Sequence, residues 1–134
     1  MISTELARAL RDSGLEWRPQ VGDSFIVDRV EADGDVFYLS DLTIEAHEFS
    51  TGVVLGFNGT TEWALDSVAL EDALWLPRED QLRERLGNTF VSLSGSFVVE
   101  TSFEGVTSRF EADAAANAYA RALIHLLDSF TVDI

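Results

Sequence analysis

The chain opens on a helical pattern: Leu6, Ala7 and Leu10 share one face at the spacing a 3.6-residue period requires. Ser3 suits the N-cap, Glu5 the positive end of the helix dipole, and Gly14 the position just past the last turn. After Trp17 and Pro19 the period changes to alternation. Asp33-Gly34, Thr51-Gly52 and Asn58-Gly59 punctuate runs rich in Val, Ile and Phe. These pairs tolerate the positive φ of two-residue turns. They predict hairpins between Phe25-Ile26-Val27 and Val36-Phe37-Tyr38-Leu39, between residues 42–49 and 53–55, and between residues 53–57 and 61–66. Short links force antiparallel pairing, so residues 24–66 are expected to form an antiparallel meander. Within residues 36–47, Val36, Tyr38, Leu42, Ile44 and Ala46 are expected on one face. Asp41, Thr43, Glu45 and His47 fall on the other, in one bent strand or in two.

Beyond the acidic link Glu71-Asp72, Pro77 is placed to start a short helix. Glu79 and Asp80 favour its N-terminal end, Arg83 and Arg85 its C-terminal end, Leu82 and Leu86 supply one face, and Gly87 stops it. Residues 90–93 read as a strand, and residues 96–102 and 106–110 as a hairpin around Glu104-Gly105. Asp113 is the expected cap of a last helix, whose stripe is Ala115, Tyr119, Ala122, Leu123, Leu126 and Leu127. The pattern predicts an α+β fold, one domain over residues 1–134. In it an antiparallel meander sheet of about five to seven strands is covered by N-terminal, central and C-terminal helices in two layers.

Composition narrows the chemistry. The chain has 134 residues, 46% of them hydrophobic, and no Cys, so packing must stabilise it without disulfides or thiolate sites. No apolar run approaches the ~20 residues of a membrane helix, and the acidic N-terminus lacks a signal pattern, which leads us to expect a cytoplasmic protein. The net charge is −15 and every cation is Arg. Residues 23–72 hold twelve acids against Arg29 alone. A field of that sign repels phosphate backbones and anionic lipid, so neither nucleic acid nor membrane is an expected partner; a basic protein is.

The lack of Lys excludes a Gly-x-x-x-x-Gly-Lys phosphate loop and Schiff-base chemistry. There is no Gly-x-Ser-x-Gly elbow, and no glycine fingerprint precedes a helix. We therefore expect neither catalytic residues nor a cofactor. Asp41, Glu45 and His47 read first as a solvated strand face. In-line positions on one strand spread over ~13–20 Å, so only Glu45 and His47 could share a metal ion. His125 falls opposite the apolar stripe of the last helix and reads as solvated. Trp63 and Trp75 are either core residues or binding anchors. Arg78 could clamp a carboxylate or pair with a neighbouring acid. Asp66 and Glu79 complete the candidate binding set, because they lie in the two most distinctive stretches of the chain.

Those stretches are Gly56-Phe57-Asn58-Gly59-Thr60-Thr61-Glu62-Trp63-Ala64-Leu65-Asp66-Ser67-Val68 and Leu74-Trp75-Leu76-Pro77-Arg78-Glu79-Asp80-Gln81-Leu82-Arg83. Both resemble a family of small acidic actinobacterial proteins labelled pilus-assembly proteins, and the resemblance covers nearly the whole chain. It implies no catalytic residue, and without a phosphate loop it implies no ATPase role. The expected function is a non-catalytic acidic protein-interaction or accessory module. A small-molecule-binding protein or enzyme with its site between sheet and helices, and a homodimeric scaffold paired through an edge strand, stand as alternatives.

Overall fold

The computed structural model describes residues 1–28, 35–40, 44–49, 52–57 and 67–130; for residues 44–49, 52–57, 67 and 68 the backbone alone is described. The fold is α+β, with three α-helices and nine strands among the described residues. The strands pair as three three-stranded antiparallel sheets rather than as the single meander expected from the sequence. Two compact units are formed, one from residues 1–16 and 77–134, the other from residues 17–76.

In the first unit, α1 (Thr4–Asp12) begins where Ser3 Oγ accepts the Leu6 N–H at 3.2 Å. It ends in a Schellman motif: Gly14 N–H donates to the Arg11 carbonyl and Leu15 N–H to that of Leu10. Gly14 sits at φ +106°, where a side chain would be strained. Helix α2 (Glu79–Leu86) buries Leu82 and Leu86, and Gln81 Oε1 accepts the Arg78 N–H at 2.9 Å. A 3-10 turn then leads into β7 (Phe90–Ser94), β8 (Val98–Phe103) and β9 (Val106–Glu111), a meander in the order expected. Phe90, Thr101 and Ser108 are register partners across the three strands, and Val99 pairs with Phe110.

Helix α3 (Ala115–Ser129) packs against β8, β9, α1 and α2. Its cap differs from expectation. The N-cap is Ala114, and the Asp113 carboxylate instead accepts the Asn117 side-chain amide at 2.9 Å. Asn117 Oδ1 in turn accepts the Ser3 N–H at 2.8 Å, so the acid acts through a link that ties the start of α1 to α3.

In the second unit, β1 (Ser24–Val27) is the central strand between β2 (Val36–Tyr38) and β6 (Ala73–Leu76). Every residue of β1 and β6 is buried, as a strand covered on both faces must be. The core is Phe25, Val27, Leu39 and Ala73, with Trp17, Phe37 and Leu70 packed on it. Val36 and Tyr38 share one face of β2, as the alternation predicts, and that face is the exposed one; Phe37 lies against Phe25, its register partner. Phe37 and Leu39 meet the β1 core.

A second sheet in this unit joins β3 (Ile44–Phe49), β4 (Gly52–Phe57) and β5 (Ser67–Ala69). Gly52 pairs with Phe49 and so belongs to β4 rather than to the expected Thr51-Gly52 turn; residues 50 and 51 lie outside the described residues. The partner of β4 is residues 67–69, beyond the expected 61–66. Turns Asp33-Gly34 and Asn58-Gly59, and residues 61–66, lie outside the described residues.

Asp23 anchors the entry to β1. Its buried carboxylate accepts Trp17 Nε1–H at 2.9 Å and Gln20 N–H at 3.0 Å through one oxygen, Oδ2. Asp23→Ala leaves both donors unsatisfied and should cost about 2 kcal/mol in urea unfolding. Asp23→Asn, which keeps an acceptor, should cost about half as much. Equal losses in the two variants would contradict this account.

Candidate functional site

The described residues among those singled out in the sequence fall in both units. Trp63 and Asp66 lie outside the described residues. Trp75 is 7% exposed and stacks on Trp17 at 6.3 Å with the rings 9° apart, inside the second unit. Arg78 and Glu79 are exposed at the start of α2, where Arg78 Nε pairs with Asp80 Oδ1 at 3.1 Å. A pair so exposed contributes little to stability. Glu45 and His47 stand two positions apart on β3, opposite Gly56 and Val54. Asp41 lies outside the described residues, and no group of three or more metal-ligating side chains occurs among the described ones.

Glu79 takes part in a second arrangement. Tyr119, buried on α3, meets the Phe90 ring at 5.8 Å with the two planes tilted by 35°, and the Arg83 guanidinium lies 4.5 Å above the Phe90 ring. The Tyr119 hydroxyl is raised above its ordinary pKa of 10.0, first by burial, with Arg83 opposing and Glu79 adding to the rise. Since the folded value exceeds the unfolded one, the contribution of Tyr119 to stability is complete below pH 10 and is lost as pH climbs through the raised value. Tyr119→Phe should therefore flatten the fall in stability above pH 10, measured by thermal melts from pH 8 to 11.5. An unchanged alkaline slope would count against it.

What the fold does bring together is a cavity of about 440 Å³ between the last two turns of α3 and the β7–β8–β9 sheet. That size falls within the range of small-ligand sites. The sheet contributes Thr101, Phe103, Val106 and Ser108, and α3 contributes Ala122, His125, Leu126 and Ser129, with Phe130 at its C-cap. Thr101 and Ser108 are neighbours because they pair across β8 and β9. Phe103 meets Phe130 edge to face at 5.7 Å, and His125 lies 5.3 Å from Phe110, centroid to centroid. Two hydroxyls are already committed as donors: Thr89 to the Leu86 carbonyl at 2.7 Å and Ser129 to that of Leu126 at 2.6 Å. Their lone pairs are the part of them a ligand could use.

Glu104 stands at the β8–β9 turn and lines the same space. The turn has two residues, since Phe103 pairs with Val106, and both adopt positive φ: +50° for Glu104 and +79° for Gly105. Gly105 is the expected residue for such a turn; Glu104 is not, because Asn, Asp and Gly tolerate the left-handed region best. His125 is exposed, as its helix position implied, and what the sequence did not reveal is its neighbourhood. Its only sequence signal was one shared by any solvated histidine.

These features define an α+β protein with antiparallel sheets and a groove of mixed polarity. No family model matches the chain, and neither a curated protein nor a solved structure does.

Proposed function

We propose that this protein is a non-catalytic binding module whose site is the groove between α3 and the β7–β8–β9 sheet. The observation that carries this reading is the cavity of about 440 Å³, lined by hydroxyls, an imidazole and a carboxylate together with Phe103, Val106, Leu126 and Phe130. Polar groups placed beside apolar side chains are what orient a small ligand. The reading takes this unit as two layers, α3 over the apolar side of the sheet. The opposite side carries Ser92, Glu100 and Arg109 in register, with Arg109 Nε paired to Glu100 Oε1 at 3.1 Å, as a solvated face would. The test is to titrate benzyl alcohol into the protein and follow amide signals of residues 101–108 and 122–130 by NMR. Ser108→Phe, which fills the groove from β9, should abolish the shifts while leaving the circular dichroism spectrum intact. Undiminished shifts in that folded variant would refute the site.

A second reading rests on charge. Residues 23–72 carry a net −11, which favours a basic protein partner steered at the level of association rate. It predicts capture of a lysine-rich polypeptide that weakens steeply between 50 and 300 mM salt. Salt-independent capture would argue against it.

A further inference from the structure

We infer that the groove selects an organic ammonium cation, with its methyl or methylene groups against Phe103 and Phe130 and its charge toward Glu104. This inference rests on the reading of the groove as a ligand site. Among the described residues lining it, Glu104 is the one carboxylate, and there is no arginine to neutralise it or to receive an anion. Phe103 and Phe130 supply ring faces and edges to the same space, and Phe130 is 65% exposed although it is one of the chain's largest apolar side chains. Aromatic surface beside a carboxylate is the chemistry that recognises alkylated ammonium groups. The surroundings agree in sign, since a net charge of −15 enriches cations near the surface and depletes anions.

The turn makes Glu104 a residue at which stability and binding can be separated. At φ +50°, Glu104 occupies the position where Asn or Gly would hold the same hairpin with less strain. Stability and binding should then oppose each other at this residue. Glu104→Asn suits the turn and should raise the melting temperature, and it should also lose the cation.

The experiment compares choline with 3,3-dimethylbutan-1-ol, which has the same shape and no charge, by NMR titration at low salt. Choline should bind about fivefold or more tightly than the alcohol. Glu104→Gln and Glu104→Asn should each lower that ratio by about half or more, and Phe130→Ala should weaken both probes. Equal binding of the two probes, with no effect of either Glu104 variant, would overturn the cation preference and leave the ligand site standing. Shifts from neither probe at residues 101–106 or 122–130, with benzyl alcohol also silent, would overturn the site itself.

Discussion

Phe25→Ala is expected to destabilise the unit of residues 17–76 by about 3–5 kcal/mol. Phe25 is 0% exposed and occupies the middle strand, β1, of its sheet. Its ring meets Trp17 at 5.5 Å on one side and Phe37 at 5.7 Å on the other. Val27, Leu39 and Ala73 close the remaining sides. Truncation removes the transfer free energy of a whole ring and leaves a hole. The two flanking strands, β2 and β6, are held in register by β1, so the hole cannot collapse cheaply. Urea unfolding followed by tryptophan fluorescence is the measurement, since Trp17 and Trp75 both report on this core. A loss below about 1 kcal/mol would mean the aromatic cluster is not packed as described.

Leu82→Ala is the second, expected to cost the other unit about 2–5 kcal/mol. Leu82 is also 0% exposed, on a helix of only eight residues. A helix that short is marginal by itself and is held by its packing, here against α3. Its polar surface does little to help, because the Arg78–Asp80 pair is solvent-exposed. Leu82→Ala should therefore lower helical circular dichroism as well as the midpoint of unfolding. Loss of stability with full helicity would show α2 to be less dependent on tertiary contacts than its length implies.

Signals carried by a few adjacent residues were legible in the chain. Ser3 caps α1, Gly14 ends it, Gly87 ends α2, and Glu104-Gly105 turns β8 into β9. Each depends on φ/ψ or on hydrogen bonds within one turn, so it can be read from neighbours alone. Where two local partners compete, the reading fails by a residue, as with Asp113. Its carboxylate serves Asn117 and leaves the cap to Ala114.

The sequence by itself determined the α+β class, the three helices, and the antiparallel pairing of residues 24–27 with 36–38, 44–49 with 52–57 and 98–103 with 106–111, because period and turn chemistry act over a few residues. Only the tertiary structure decided that Ala73–Leu76 is a strand, since its partner, Ser24–Val27, lies about fifty residues away and nothing local announces it. It also decided the phase of β2 and the burial of Trp75, which follow from what stands opposite. The groove is of the same kind. Thr101, Glu104, His125 and Phe130 come from a strand, a turn and a helix, and they share a space only because a meander and α3 pack together. Proximity across the fold is a property of packing, and periodicity along the chain does not encode it.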